Sequence, residues 1–300
     1  MKIYAPSYYE NFRCIADKCR HSCCIGWRIE VNEDTLDKAR ASREPVLNEL
    51  LLCTESSGNE NYIDLVSGRC PFLDGKGLCR IISAVGEEFT PDICKEHPRF
   101  YNNLGTRFEV GLGLCCEEAA RIILSSDDYN SFIQVGEDDT KLSQAPDFVE
   151  VRDRLLDQLK NNGYNSAIKS IIKEYRLQKL VNIDFGATYA ELEYLDEGNR
   201  KVFSCLNTDI ITVNEDYLTR FLAYMIYRYL SVAESELELR AALGFAWIST
   251  LTFNHIAIIN GAIAPEDYYE CARIFSSEIE YNENNIDTIL FDIECQLLED

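Results

Sequence analysis

The sequence is short of several things at once. It holds two methionines, two tryptophans, three histidines and seven prolines in 300 residues. Its first residues, MKIYAPSYYENF, carry one lysine, no apolar run and no small-residue cleavage pattern, which argues against a secretory signal. Without export, stable disulfides are not expected. Positive charge is also scarce: 29 Lys+Arg stand against 51 Asp+Glu, a net charge of −22. The deficit is −5 over residues 1–120 and −17 over residues 121–300. Such a chain repels phosphate backbones, which argues against nucleic acid as a partner. An acidic surface favours solubility, and it suits a protein substrate that presents lysine. There is no internal repeat and no low-complexity tract. A nucleotide-binding fingerprint is reduced to Val110-Gly111-Leu112-Gly113, with no βαβ context around it.

One uncharged stretch, Ala241 to Ala264, is long enough to cross a bilayer. It contains Ser249, Thr250, Thr252, Asn254, His255 and Asn260, and acidic segments flank it. It reads as a buried core helix or helix pair, so no membrane partner is expected.

Against these shortages stands one surplus. A chain of this length, 46% hydrophobic, buries a core without covalent staples, yet it has 13 cysteines. The count is odd, so complete internal pairing is impossible. All but three cysteines fall within residues 14–116; Cys205, Cys271 and Cys295 are scattered, and Cys271 and Cys295 read as small core hydrophobes of helices. This change of density divides the chain into a cysteine-rich region, residues 1–125, and a helical domain, residues 147–300. The expected fold class is mainly α: an irregular cysteine-rich N-terminal region with a short hairpin, packed on a helical C-terminal part.

Within the first region, Gly68 to Ile82 reads as a hairpin around Asp74-Gly75-Lys76-Gly77, which would bring Cys70 and Cys79 together. Thr90 is a candidate N-cap and Pro91 a first helical residue, placing Cys94 in a first turn where the helix dipole favours thiolate. Glu117–Ser125 reads as a short helix, and Ser125–Pro146 as a polar linker or long loop. Beyond it, helices are expected at Phe148–Asn161, Asn165–Leu180, Tyr217–Val232, Glu234–Asn260, Pro265–Ser277 and Asn285–Leu298.

The stretch CIADKCRHSCC places four cysteines, Cys14, Cys19, Cys23 and Cys24, in eleven residues. Thiolates bind zinc, and four at a time hold iron–sulfur clusters. Paired Cys-x2-Cys knuckles, the usual sign of structural zinc, are absent. So is the Cys-x3-Cys-x2-Cys spacing of radical S-adenosylmethionine enzymes. The number and crowding of the thiols favour an iron–sulfur cluster over zinc, with free or redox-active thiols third. Spacing alone does not divide them among sites.

The runs FRCIADKCRHSCCIGWRI, CPFLDGKGLCRI, PDICKEHPRF and GLCCEEAARIIL, in this order, resemble the flagellin lysine-N-methylase family, FliB. The cysteine part is also similar to a broader family of zinc- or iron-chelating domains. The resemblance covers about residues 1–125; the rest matches only in helical character. It implies transfer of methyl groups from S-adenosylmethionine to lysine ε-amines of flagellin, in the cytoplasm, by a chain carrying an iron–sulfur cluster of the 4Fe-4S kind. The ligands it implies are among Cys14, Cys19, Cys23, Cys24, Cys70, Cys79, Cys94 and Cys116. Cys115 is an addition beside Cys116, and His97 stands where the family pattern has an aromatic residue, outside the ligand set. Two alternatives are a non-enzymatic zinc- or iron-chelating module and a redox sensor built on vicinal thiols. No catalytic or cofactor-binding residue is legible. Tyrosines such as Tyr62, Tyr101, Tyr224, Tyr227 and Tyr229 read first as packing residues, and Arg99 and Arg107 as contacts to an anionic cofactor or to nearby acids.

Overall fold

The structure, a computed structural model, describes residues 1–58, 60–105, 107–137, 148–206 and 214–298. It is mainly α, and the chain divides into two compact units. One is Arg13–Arg99. The other combines Met1–Phe12 with Phe100–Asp300, so residues 1–12 and 100–125 lie with the helical residues. The chain opens with β1 (Lys2–Pro6), a strand of this second, larger unit.

The smaller unit is loop-rich. It contains β2 (Ile29–Glu30), α1 (Glu33–Ala41), α2 (Pro45–Leu52), β3 (Thr54–Ser57) and β4 (Glu60–Ile63), followed by α3 (Arg80–Val85) and α4 (Asp92–Glu96). The strands make one antiparallel sheet in the order β2-β4-β3. Its core among the described residues is eleven buried side chains, running from Ile29 to Ile81 and centred on Leu47, Leu50 and Phe72.

Two local expectations shift here. The expected hairpin is a tight turn followed by a helix. Asp74 Oδ1 accepts from the Lys76 and Leu78 amides at 2.8 and 2.9 Å, Leu73 and Cys79 form an isolated bridge, and α3 starts immediately after Cys79. Thr90 does not cap α4. Its hydroxyl donates to Glu87 O at 2.7 Å, and the helix begins one residue later behind Pro91.

In the larger unit, β5 (Arg99–Asn103), β6 (Phe108–Leu112) and β7 (Phe132–Glu137) join β1 in a four-stranded sheet ordered β5-β6-β1-β7. β1 runs parallel to β6 and antiparallel to β7. The stretch expected to be a linker therefore contains a strand, stabilised by backbone pairing with residues more than a hundred positions away; residues 138–147 lie outside the described residues. Gly111 is strand, not a nucleotide loop. The Phe100 ring lies so close that a Cβ there would clash with it.

The helices are α5 (Glu117–Ser125), α6 (Val149–Glu174), α7 (Phe185–Glu191), α8 (Glu197–Ser204), α9 (Glu215–Tyr229), α10 (Glu236–Ile259), α11 (Pro265–Phe275) and α12 (Glu283–Leu298). A π-helical turn, Ser276–Glu280, continues α11. α6 is two helical pieces broken at Gly163, whose φ of 70° is left-handed; this reproduces the two helices expected from periodicity. α7 and α8 lie between the expected helices Asn165–Leu180 and Tyr217–Val232, where no helix was expected. They are short helices started by Asp184 and Asp196, whose carboxylates accept from the Ala187 and Gly198 amides. α10 is the one described helix long and apolar enough to cross a membrane, and it is mostly buried inside the core of this unit. Cys271 is buried as expected, whereas Cys295 is exposed, on the outer face of α12.

Candidate metal centre

All eight cysteines between residues 13 and 99 lie in the smaller unit, and none of the 13 is in a disulfide. The loops that carry them are tied by backbone hydrogen bonds. The Cys70 amide donates to Cys24 O at 2.8 Å, and the Gly26 amide to Gly68 O at 2.9 Å. Ile25 and Arg69 form a bridge, which holds the Cys23-Cys24 loop against the segment leading into Cys70. The turn at Asp74 then returns the chain so that Cys79 starts α3, while Cys94 lies in the first turn of α4. Cys14 accepts from the Ala16 amide at 3.4 Å and is exposed; Cys19 follows the short 3-10 turn Ala16–Lys18.

The electrostatics record which thiols stand together. Cys23 and Cys24 share a side-chain hydrogen bond. That bond, the Ser22 hydroxyl and the Arg69 guanidinium pull the Cys24 thiol down to about 6, against its desolvation. The same bond pushes the Cys23 thiol up, with burial and the charges of Cys24, Cys94 and Cys14 adding to it. Burial first, then the charge of Cys24, raises Cys70 to about 11 and also raises Cys79 and Cys94. The thiolate expected for Cys94 from the helix dipole is therefore not favoured: α4 is five residues long, and burial and neighbouring thiols outweigh its dipole. Cys24 is the common member of these interactions.

Six of the implied ligands, Cys14, Cys23, Cys24, Cys70, Cys79 and Cys94, thus influence one another within one unit. Cys19 is half-buried in the loop between Cys14 and Cys23. Cys116 stands immediately before α5 in the larger unit, with Cys115 beside it. Among the described residues no three His, Cys, Asp or Glu side chains converge to the spacing of a single-metal coordination shell. As a donor set the six thiols suit a soft metal or an iron–sulfur cluster: they are unpaired by disulfides, and Arg69 offsets part of their negative charge. Sequence reasoning passed over Cys53, the residue ending α2, whose thiol is raised by burial and by Glu49 and Asp64. It also passed over Ser22 and Arg69; their adjacency to Cys23 and Cys70 was the available signal.

Two aromatic groups border this loop. Trp27 Nε1 donates to Cys23 O at 2.5 Å, and its ring lies 5.8 Å from that of His97. Burial lowers the His97 imidazole to about 4, so it is neutral at pH 7. Arg28 stacks over Tyr62 at 3.8 Å.

In the larger unit Tyr224, Tyr227 and Tyr229 are engaged in packing and internal polar contacts, whereas Tyr101, also expected to pack, is 55% exposed on β5. Tyr224 and Tyr229 each donate to Glu280 at 2.9 Å, and Arg228 reaches the same carboxylate at 3.3 Å. The Tyr227 hydroxyl donates to Val110 O at 3.0 Å. Arg107 pairs with Glu109, which also meets the fully buried Arg152, and Arg99 donates to Lys95 O at 3.0 Å. Both arginines singled out in the sequence therefore have partners within the protein.

The chain is 28% identical over 133 residues to the lysine-N-methylases of Salmonella choleraesuis and Salmonella typhimurium, a match covering 42% of this chain and 33% of each relative. It is 28% identical over 133 residues to the flagellar biosynthetic protein FliU of Salmonella muenchen, covering 42% of this chain and 79% of that one. The match spans about a third of the length of the two lysine-N-methylases. No family model matches the chain, and no solved structure matches it.

Proposed function

Because the chain is a relative of the lysine-N-methylase (FliB) family over two fifths of its length, we propose that it is a protein-lysine N-methyltransferase. In this reading it moves methyl groups from S-adenosylmethionine to lysine ε-amines of flagellin in the cytoplasm, and cysteines of residues 13–99 hold an iron–sulfur cluster of the 4Fe-4S kind. The name of the FliU relative, a flagellar biosynthetic protein, supports a flagellar substrate.

The observation that carries the cluster half of the proposal is the gathering of Cys14, Cys23, Cys24, Cys70, Cys79 and Cys94 in one loop-rich unit. Cys19 and Cys116 stay in the proposed ligand set on sequence resemblance. When bound, the cluster supplies a one-electron centre and a tie between the loops. Trp27 fixes the backbone at Cys23, and Arg69 lies close enough to Cys24 to stabilise its thiolate. Methyl transfer itself requires a neutral, desolvated amine in line with the sulfonium carbon.

Protein purified without oxygen should contain about four irons per chain with matching acid-labile sulfide. Incubated with S-adenosylmethionine, it should add methyl-sized mass increments to lysines of flagellin. A chain with full iron and sulfide that adds none would overturn the methylase reading. A second reading, a redox sensor, is favoured by the Cys23–Cys24 contact and the acidity of Cys24. A free-thiol count that changes reversibly under mild oxidant, without methyl transfer, would select it. Zinc without sulfide would select the chelating module.

A further inference from the structure

The larger unit carries a cavity of about 200 Å³ lined in part by Asp127, Tyr129, Lys160, Gly163, Asp216 and Arg220. It lies where α6 breaks. At Gly163 the backbone is left-handed, and a Cβ would come within 2.8 Å of Glu215 Oε1, so the chain cannot continue there as an ordinary helix. The first turn of α9 supplies Asp216, and the segment between α5 and β7 supplies Asp127 and Tyr129.

Its charges are not all used internally. Arg220 donates to Asp127 Oδ1 at 2.8 Å and to Leu124 O at 3.2 Å, so these two side chains neutralise each other. Lys160 Nζ donates to the backbone oxygen of Asp127, not to a carboxylate, and sits 5.5 Å from the Tyr129 ring centre. Lys160 and Asp216 are both exposed and line the same space, and the charge of Asp216 acts on Tyr129. The Tyr129 ring is buried, and its hydroxyl, which has no hydrogen-bond partner among the described residues, reaches solvent. What remains is one cation, one anion and one neutral donor–acceptor around a small space.

A simple anion or cation would satisfy only one of these charges. A ligand with a carboxylate and an ammonium on one carbon satisfies both, and a molecule of amino-acid size fits the space. We propose that this cavity binds an α-amino-acid headgroup, its carboxylate on Lys160 and its ammonium on Asp216 with the Tyr129 hydroxyl. Free methionine and the methionyl end of S-adenosylmethionine share this chemistry. Assigning the second as the resident rests on the methyl donor proposed above.

Calorimetric titration of the full chain with L-methionine, S-adenosylmethionine, acetate and methylamine tests this. Lys160→Gln and Asp216→Asn change solvent-facing side chains, and thermal unfolding checks that both fold. Each should weaken methionine about tenfold, a change of about 1.4 kcal/mol, and Tyr129→Phe should weaken it less. Binding of both methionine and S-adenosylmethionine, weakened in parallel by the variants, supports the site and its donor assignment. Methionine bound through these residues, with S-adenosylmethionine unaffected by them, keeps the amino-acid site and removes the assignment. Failure of any zwitterion to bind, or acetate or methylamine binding as tightly as methionine, overturns the inference. A separate flagellin assay shows whether the methylase reading stands.

Discussion

The two units solve the problem of holding a chain together in opposite ways. The larger unit buries more than fifty hydrophobic side chains in one cluster, including stacked rings such as Phe221 and Phe253 at 4.4 Å. The smaller unit has eleven, with two small antiparallel ladders and helices of nine residues or fewer. Several of its cysteines stand at the edge of that core: Cys70 is part of it, and Cys24, Cys53, Cys79 and Cys94 pack against it. Where a larger domain would place more aliphatic volume, this one places thiols. A hydrophobic core of that size supplies little net stability, and metal ligation is a common supplement in small units. In the function proposed above, the smaller unit depends on what its thiols bind, whereas the larger one does not.

The largest expected effect tests that dependence. Stripping the metal, in the reading proposed here, should remove amide-exchange protection across residues 13–99 and leave the α9 and α10 amides slow. Structural metal sites in small domains supply about 10 kcal/mol, so the loss should be nearly complete. Cys24→Ser and Cys79→Ser should do the same, and Cys295→Ser, on the surface of α12, should do neither. Uniform protection in both units after metal removal would end the contrast.

The next effect belongs to the larger unit. Arg152 is fully buried; it meets the Glu109 carboxylate, reaches Asp153 Oδ1 at 2.7 Å, and lies 4.6 Å from the centre of Phe132. Arg152→Met leaves the Glu109 carboxylate buried with Arg107 as its remaining cation. The cost should be about 3 kcal/mol, read by urea denaturation of the α-helical signal. Adding Glu109→Gln to the same chain should recover part of it. Exchange within residues 13–99 should stay unchanged; slowing or acceleration there would mean that the units are not energetically separate.

pH separates them a third way. The folded His97 imidazole sits at about 4 against an ordinary value of 6.5, so the unfolded chain binds its proton more readily. Its contribution to stability is complete above about pH 6.5 and is lost as pH falls towards 4. With the metal bound in both proteins, His97→Gln should lose less stability than wild type across that window, by on the order of 2 kcal/mol at its lower end. Equal slopes for the two proteins would remove His97 from the account.

How far the sequence foretold this contrast depends on whether the signal was local. The helices of the larger unit repeat apolar residues at three and four positions, and α9, α10, α11 and α12 were legible to within a few residues. The crowding of Cys14 through Cys24 was legible for the same reason. β7 was not: its residues Phe132–Glu137 become a strand only because Lys2–Pro6 comes alongside. The pairing of the Cys24 loop with Cys70 also depends on contacts between distant segments, and no spacing rule announces it. Thr90 shows a subtler failure. The N-cap pattern was present, but its hydroxyl bonds backward to Glu87, and Pro91 takes the position before the helix.

The smallest effect sharpens the comparison at helix ends. In the larger unit, α7, α8, α9 and α10 each start on a side chain that accepts a backbone amide of its own first turn. For α10, Ser235 Oγ accepts from the Glu238 amide at 3.2 Å, and Glu238 in return accepts from the Ser235 hydroxyl and the Glu234 amide. None of the four helices in the smaller unit has such a side-chain cap. Asn32 precedes α1, yet its Oδ1 accepts from the Asp92 amide at 3.1 Å and from the Thr35 hydroxyl at 2.8 Å. It ties α1 to α4 instead of capping its own helix. Ser235→Ala should therefore cost about 1 kcal/mol and fray only the start of α10. Asn32→Ala should cost a similar amount, but its exchange signature should appear at α4, sixty residues away. Fraying confined to α1 would show that Asn32 acts as an ordinary cap, and that the smaller unit differs from the larger in core size and thiols alone.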